Sequence, residues 1–530
     1  MLSPMFNTLI RDARIYDGTG IDWFKASLAI DGDAIKVLRG DTSSVEAERV
    51  IDAEGLAVCP GFIDMHAHST MAILHEPKHD AKVRQGVTTE LIGVDGNSYA
   101  PFDDPDELER WAVFNAGLDG AKPEGMAWSS VAEYLEVYDE SVAVNIAYVV
   151  GNSPLRIATV GWADRAPSEA EMETQRAMLR EALGDGAFGI STGLTYPPGG
   201  FAPTEEVSDL CRVVADIGGI HVCHVRYSLG DAFRDPFLEA IEISRRSGVP
   251  LHISHYASRW RVNGQFRPLL QLVDEARDEG LDVTFDAYPY SAGGSSRATV
   301  ALPDWLQEDG PDALMERLAD DRSRARMRAE TDPRQARWRD PAGWHLTGFA
   351  ETANKGYDGL NLHEIAELAN KDPLDTLCDL LLEEQLRLSY VSHDANNPVT
   401  VRKMLAHSQC MVGSDGLLIG DHPSPRSYGT FPKMLGDLAR EEGLLTMADA
   451  IRKMTWFPAQ LLGLSDRGII RDGAKADIVV FDPARVHAPA TLAEPKLYPE
   501  GIPHVIVNGV SVIENYEHTG ATPGRALKRT

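Results

Sequence analysis

Through the middle of the chain, short apolar runs alternate with segments whose apolar residues recur every three or four positions. The runs read as buried strands and the segments as amphipathic helices, and their alternation marks a parallel sheet or barrel. The strand candidates are GFIDMHAH (61–68), TTELIGVD (88–95), VNIAYVVG (144–151), GAFGIST (186–192), GIHVCHVR (219–226), PLHISHY (250–256), DVTFDAYPY (282–290), LSYVSHD (388–394) and CMVGSD (410–415). Helices at 167–183 and 204–217 fill two of the gaps. Nine candidates exceed an eight-stranded barrel by one, so one belongs to an insertion or is no strand.

The two ends of the chain follow a different pattern. TLIRDARIY (8–16) and SLAIDGDAIKVL (27–38) are short apolar stretches, the second broken by Asp-Gly-Asp as in a hairpin. ADIVVFDP (476–483) and HVIVNGVSVIEN (504–515) repeat the style, with Asn-Gly at a turn. Neither end has strands enough to bury a face alone, so both are expected to join in one small β-sandwich. The expected organisation is α/β: residues 1–57 and 468–530 as the composite sandwich, and 58–467 as the barrel. Residues 302–345 are Arg/Asp-rich, carry Pro311, Pro333 and Pro341, and show one plausible helix. An insertion over the barrel mouth is expected at about 300–345.

Charge narrows the function. Fifty-one basic against 80 acidic residues leave a net −29, which argues against nucleic acid or anionic lipid as partner and favours small molecules. Five scattered cysteines never form a CxxC pair, so neither a disulfide framework nor a zinc finger is expected, and a reducing cytoplasm is the default. The N-terminus turns charged by Arg11 and reads as no signal peptide. No apolar run approaches the roughly twenty residues of a membrane span.

In a (β/α)₈ barrel the reacting groups sit at the C-terminal ends of the strands. His66 and His68, two apart, share one face of the first candidate strand. His224, His255, Asp95 and Asp415 close four others. A lone histidine is more often a hydrogen-bonded core residue than a ligand, but here histidines and aspartates recur where a barrel concentrates chemistry. Imidazoles with carboxylates suit zinc or a similar divalent ion. His221 and His252 lie three residues before their neighbours, out of phase, and read as structural; Cys223 reads as packing.

PGFIDMHAH resembles the first-strand signature of the amidohydrolase superfamily. GVTTELIGVDGNSYAP, VNIAYVVGNSPLR, GAFGISTGLTYPPGGFAPTEE, HVCHVR, ISHY, DAYPYSAGGSS, MVGSDG followed by PSPRSYGTFPKMLG, and MTWFPAQLLGLSDRGIIRDGAKADIVVFDP together resemble its N-acyl-D-amino-acid deacylase (D-aminoacylase) group. The resemblance runs nearly end to end and is weakest over 300–385. It implies a distorted (β/α)₈ barrel plus a small terminal β-sandwich, and metal-dependent deacylation of N-acyl-D-amino acids. It also implies that His66, His68 and Asp415 hold one metal, with His224 and His255 at a second. Asp415, which follows a strand and shares the site of His66 and His68, is the best-placed proton-transferring group, the rival being a metal-binding aspartate with no proton role. Zinc is the first expectation, one or two ions per chain, with manganese or another divalent ion open.

Two departures matter. The family places a metal-binding cysteine at the end of the second strand, whereas Gly93-Val94-Asp95-Gly96 puts a carboxylate there, a harder and less thiolate-like ligand. The family also has a lysine two positions after the sixth-strand histidine, pairing with the substrate carboxylate, and here that position is Ala257. Arg259, Arg261 or Arg297 are the cations that could replace it. Tyr288, Arg426 and Tyr196 match positions facing the substrate.

Competing motifs lack their context. GISTG around Ser191 is followed by LTYPPGG instead of the helix a nucleophile elbow needs. GDGAFG (184–189) leads into a strand instead of following one. The expected partner is a small amide substrate, with oligomeric state open, a homo-oligomer included. The alternatives are hydrolysis of a cyclic or other amide lacking an α-carboxylate, favoured by Ala257, and a barrel serving only as a scaffold.

Overall fold

The computed structural model describes residues 5–227, 232–257, 264–332, 336–393 and 396–529. Eight parallel strands form the centre: β1 (Phe62–Asp64), β2 (Val87–Ile92), β3 (Asn145–Tyr148), β4 (Gly189–Gly193), β5 (Ile220–His224), β6 (Leu251–Ile253), β7 (Val283–Ala287) and β8 (Cys410–Val412). Strands β1, β2 and β3 pair in sequence, and Val150–Gly151, just past β3, passes the ladder on to β4. From β4 the parallel pairing runs unbroken to β8. The ring closes where the Met65 amide donates to the Val412 carbonyl at 3.2 Å and Gly416–Leu417 pairs with Ala67–His68. The fold is therefore an α/β barrel of the (β/α)₈ type.

Ile63, Leu91, Ala147, Ile220, Val222 and Met411, taken from five strands, pack in one buried cluster with Ala459 and Leu462 of the helix Trp456–Leu462. The crossover helices Glu169–Gly184 and Thr204–Asp216 cover both expected segments. Ser168 starts the first with a capping box to Glu171, which satisfies orphan amides and marks the helix start in the sequence.

The ninth candidate strand is resolved by pairing. Ser389–Ser392 lies between Gly294–Arg297 and Trp344–Thr347 in a separate antiparallel sheet, inserted between β7 and β8. Asp394, at that candidate's end, falls outside the described residues. The single helix expected for 302–345 is corrected: Asp304–Gln307, Pro311–Ala319 and Asp321–Ala329 are all helical. Pro311 is not a breaker there because it occupies the first turn, where its missing N–H costs nothing, and Asp320 caps the helix that follows.

Strands from both ends of the chain share one nine-stranded sheet. The join lies at Ala57–Pro60, antiparallel to Ile478–Phe481 and parallel to Arg14–Ile15. The hairpin His504–Val507/Val510–Glu514 turns at Asn508-Gly509, with φ of 48° and 81°, the left-handed pair that suits the strand twist. No helix among the described residues is long and apolar enough to cross a membrane.

Candidate metal centre

The six expected ligands converge. β1 runs straight into His66, and His68 ends the short strand that closes the ring. His224 is the last residue of β5, and His255, Asp95 and Asp415 follow β6, β2 and β8 within three residues. The connections are tightly bent: Asp95, His255 and Asp415 have φ of 56°, 36° and 48°. Left-handed backbone at non-glycine residues is held only where the surroundings enforce it, and it clusters at functional sites. In the Asp95 turn, Gly93 and Gly96 also have positive φ, and a Cβ at Gly93 would lie 2.2 Å from the Val149 carbonyl oxygen. The GISTG run is β4 itself, with Ser191 at its centre. The Ser191 hydroxyl donates to the Gly93 carbonyl and accepts from the Gly96 amide at 3.1 Å, bracing that turn.

All six side chains are buried. His66 Nε2 lies 3.3 Å from His68 Nε2 and 3.7 Å from Asp415 Oδ1, and His68 Nε2 lies 3.5 Å from the same oxygen. On the other side, His224 Nδ1 and His255 Nε2 are 2.9 Å apart. Asp95 sits between the groups. Its Oδ1 is 3.5 Å from His66 Nε2, while Oδ2 is 3.2 Å from His224 Nδ1, 3.6 Å from His255 Nε2 and 3.7 Å from His68 Nε2.

Electrostatics follows the crowding. Burial pulls the His66 imidazole down, but Asp95 and Asp286 outweigh it and lift its pKa to about 10. Burial also opposes charge on His68, which Asp119 and Asp415 raise well above the ordinary value. Burial pushes Asp415 up, yet Arg426, His68 and His66 hold it well below the usual carboxylate range. Asp95 behaves likewise, with His224 and His66 overcoming burial.

This arrangement fits a divalent cation. His66, His68 and Asp415 offer ligand atoms within 4.8 Å of one another, as do His66, Asp95 and His255. Ligands about 2.0–2.1 Å from one ion at tetrahedral angles lie roughly 3.3 Å apart, close to these separations. Among the described residues nothing donates a hydrogen bond to the buried Asp95 Oδ1, a cost that a cation would remove.

Behind the six stands a set of carboxylates that sequence reasoning missed. Asp286 on β7 accepts from the His255 amide at 2.8 Å, lies 3.1 Å from His252 Nε2 and 3.7 Å from His66 Nδ1. A lone charged residue inside the buried strand VTFDA is the available signal. Asp119, at the end of the helix Pro105–Asp119, sits 3.1 Å from His68 Nδ1 and accepts from Tyr99 Oη at 3.1 Å. Nothing in the sequence announces that contact. Asp64 ties β1 to the Asp415 loop: it accepts from the Ser414 amide at 2.8 Å and from Lys82 Nζ at 2.6 Å. Lys82, fully buried, also meets Glu90 Oε1 at 2.9 Å. His221 and His252 keep to the supporting structure: His221 lies 2.9 Å from Thr192 Oγ1, and burial pushes its pKa down to about 3.

The substrate-side candidates form two arginine–tyrosine pairs. Arg426 Nη2 holds Asp415 Oδ2 at 2.9 Å and donates to Ser295 Oγ at 3.2 Å, with its guanidinium 4.4 Å over the Tyr288 ring. Arg297 lies 5.4 Å over the Tyr196 ring, which packs 4.5 Å from the His224 ring. Ala257 lines a small cavity with His255, Tyr288, Val401 and Met404. Arg259 and Arg261 lie outside the described residues.

A barrel ringed by imidazoles and carboxylates at its strand ends defines a class, and the comparisons agree. The amidohydrolase family pattern matches residues 49–513, so the chain belongs to the amidohydrolase family. It is 34% identical over its whole length to an N-acyl-D-glutamate deacylase of Alcaligenes xylosoxydans xylosoxydans, covering 98% of that protein. It is equally 34% identical to a D-aminoacylase of the same organism, covering 99% of it. The crystal structure of an N-acyl-D-glutamate deacylase from Bordetella bronchiseptica, complexed with zinc and a phosphonate mimic of the tetrahedral intermediate, is similar at a TM-score of 0.84. That match has 30% identity, over 99% of this chain and 100% of the other.

Proposed function

We propose that the protein is a metal-dependent amidohydrolase that deacylates N-acyl-D-amino acids, releasing a carboxylate and the free amino acid. The observation that carries this reading is the convergence of His66, His68, Asp95, His224, His255 and Asp415 on one point of the barrel mouth. Whole-length similarity to two deacylases of that substrate class supports it.

In this reading the six side chains hold one or two divalent ions, zinc first, with Asp95 reaching both halves of the site. A bound divalent ion polarises the amide carbonyl and lowers the pKa of water to about 7. The rest falls to the chain. Asp415 is held as the carboxylate, the form a base must start from, and takes a proton from the attacking water. It then gives that proton to the amide nitrogen as the C–N bond breaks, so the amine leaves neutral. Arg426 fixes the carboxylate's second oxygen and leaves Oδ1 facing His66 and His68. Asp286 and Asp119 orient the imidazoles from behind, which sets ring geometry and ligand basicity. Tyr288 and Tyr196 wall the substrate space. We further read residues 1–57 with 468–530 as one unit and 58–467 as the catalytic one. The five cysteines are buried and unbridged, which supports a cytoplasmic setting.

The missing cation at Ala257 favours a second reading, an amide without an α-carboxylate. A panel of N-acetyl-D-, N-acetyl-L- and cyclic amides decides between them. Turnover confined to N-acetyl-D-amino acids is expected; turnover confined to cyclic amides would replace the first reading with the second.

A further inference from the structure

Among the described residues four arginines are buried: Arg156, Arg297, Arg426 and Arg467. Three have a carboxylate partner: Arg156 pairs with Glu206, Arg426 with Asp415 and Arg467 with Asp477. Arg297, only 1% exposed, has no carboxylate within ion-pair distance among the described residues. Asp119 acts on it only from beyond ion-pair distance, and a buried guanidinium without a paired anion is costly.

The pattern of its donors is specific. Nη1 donates to Asn115 Oδ1, whereas Nε and Nη2 are buried and donate to nothing among the described residues. Nε–H and one Nη2–H point the same way along one edge of the guanidinium, the two-pronged edge that fits both oxygens of a carboxylate. Arg426 cannot offer that edge, because its Nη2 is engaged with Asp415 and Ser295. The flat faces of Arg297 are served by rings, Phe114 at 4.4 Å and Tyr196 at 5.4 Å. Tyr196 in turn packs against His224. The unpaired edge therefore belongs to a side chain one ring away from the metal-competent cluster. Burial lowers the Arg297 pKa to about 10, so it is still charged at neutral pH.

We propose that Arg297 is the substrate's carboxylate anchor, supplying from the Gly294–Arg297 strand the positive charge that Ala257 does not. The anchored group is a carboxylate of the N-acyl amino acid, either the α-carboxylate or that of an acidic side chain. The inference rests on the deacylase reading and names the residue that recognises the substrate's carboxylate.

The test uses the metal-loaded enzyme and two substrate pairs. N-acetyl-D-leucine against N-acetyl-D-leucinamide probes the α-carboxylate, and N-acetyl-D-glutamate against N-acetyl-D-glutamine probes the side chain. The readout is the acid-to-amide ratio of kcat/KM in wild type, Arg297→Met and Arg297→Lys. Wild type is expected to prefer the acid in at least one pair. Arg297→Met should lower that preference roughly 10–100-fold, chiefly through KM, the size expected for one charged two-pronged contact. Arg297→Lys, keeping charge but losing the edge, should fall between. A ratio within about twofold of wild type in both pairs, for a variant with wild-type circular dichroism and metal content, would overturn the proposal. So would a wild type indifferent to the carboxylate in both pairs. Should the methionine variant not fold, the lysine variant's ratio decides by the same criterion. If wild type hydrolyses none of the four compounds, the deacylase reading itself falls and takes this inference with it.

Discussion

Asp95 presents its two oxygens to four imidazoles at 3.2–3.7 Å, so removing it should loosen both halves of the site at once. Asp95→Ala is expected to fold, by circular dichroism, and to bind clearly less metal than wild type when both are measured by elemental analysis. Asp95→Cys should regain tight zinc, because a thiolate is the softer ligand. Full metal content and normal turnover in Asp95→Ala would reduce the carboxylate to a turn residue. Asp415 makes a sharper kinetic claim. Asp415→Asn keeps shape but cannot take a proton, and kcat should fall at least 10²-fold, within or beyond the roughly 10²–10⁴-fold range of general acid–base help. A drop under about tenfold with metal retained would remove it from the proton path.

At the scale of elements, the strand ends were legible because chemistry and periodicity coincide there. His66, His68, His224, His255, Asp95 and Asp415 could each be read from an apolar run that stops at a polar residue. Their supports could not. Asp119 reaches His68 across 51 positions of sequence, and Lys82 reaches Ser414 across 332, distances over which no local pattern carries information. The surplus strand failed for a related reason: LSYVSHD has the apolar character of a barrel strand, and only its antiparallel partners show otherwise. The Asp64–Lys82–Glu90 cluster gives an element-scale prediction. It ties β1, β2 and the Asp415 loop in a fully buried charge network. Lys82→Met leaves two carboxylates buried without their cation, and the loss of stability in urea unfolding should be about 3–5 kcal/mol. A change below about 1 kcal/mol would mean that the contacts Asp64 and Glu90 already make with Ser414 and His79 suffice without the lysine.

Across the whole molecule, a sheet built from both chain ends sits beside a barrel whose mouth gathers acidic and imidazole groups. The net charge of −29 makes a polyanionic partner unfavourable, while a small anion can still be drawn in by local arginines. Whether the protein works as a metal enzyme is the claim on which every residue role above depends. The most direct measurement is metal content together with hydrolysis of an N-acetyl-D-amino acid, before and after chelation. We expect at least one divalent ion per chain, loss of hydrolysis on chelation and its return when zinc is added back. Full-rate hydrolysis by the metal-free protein would contradict the account.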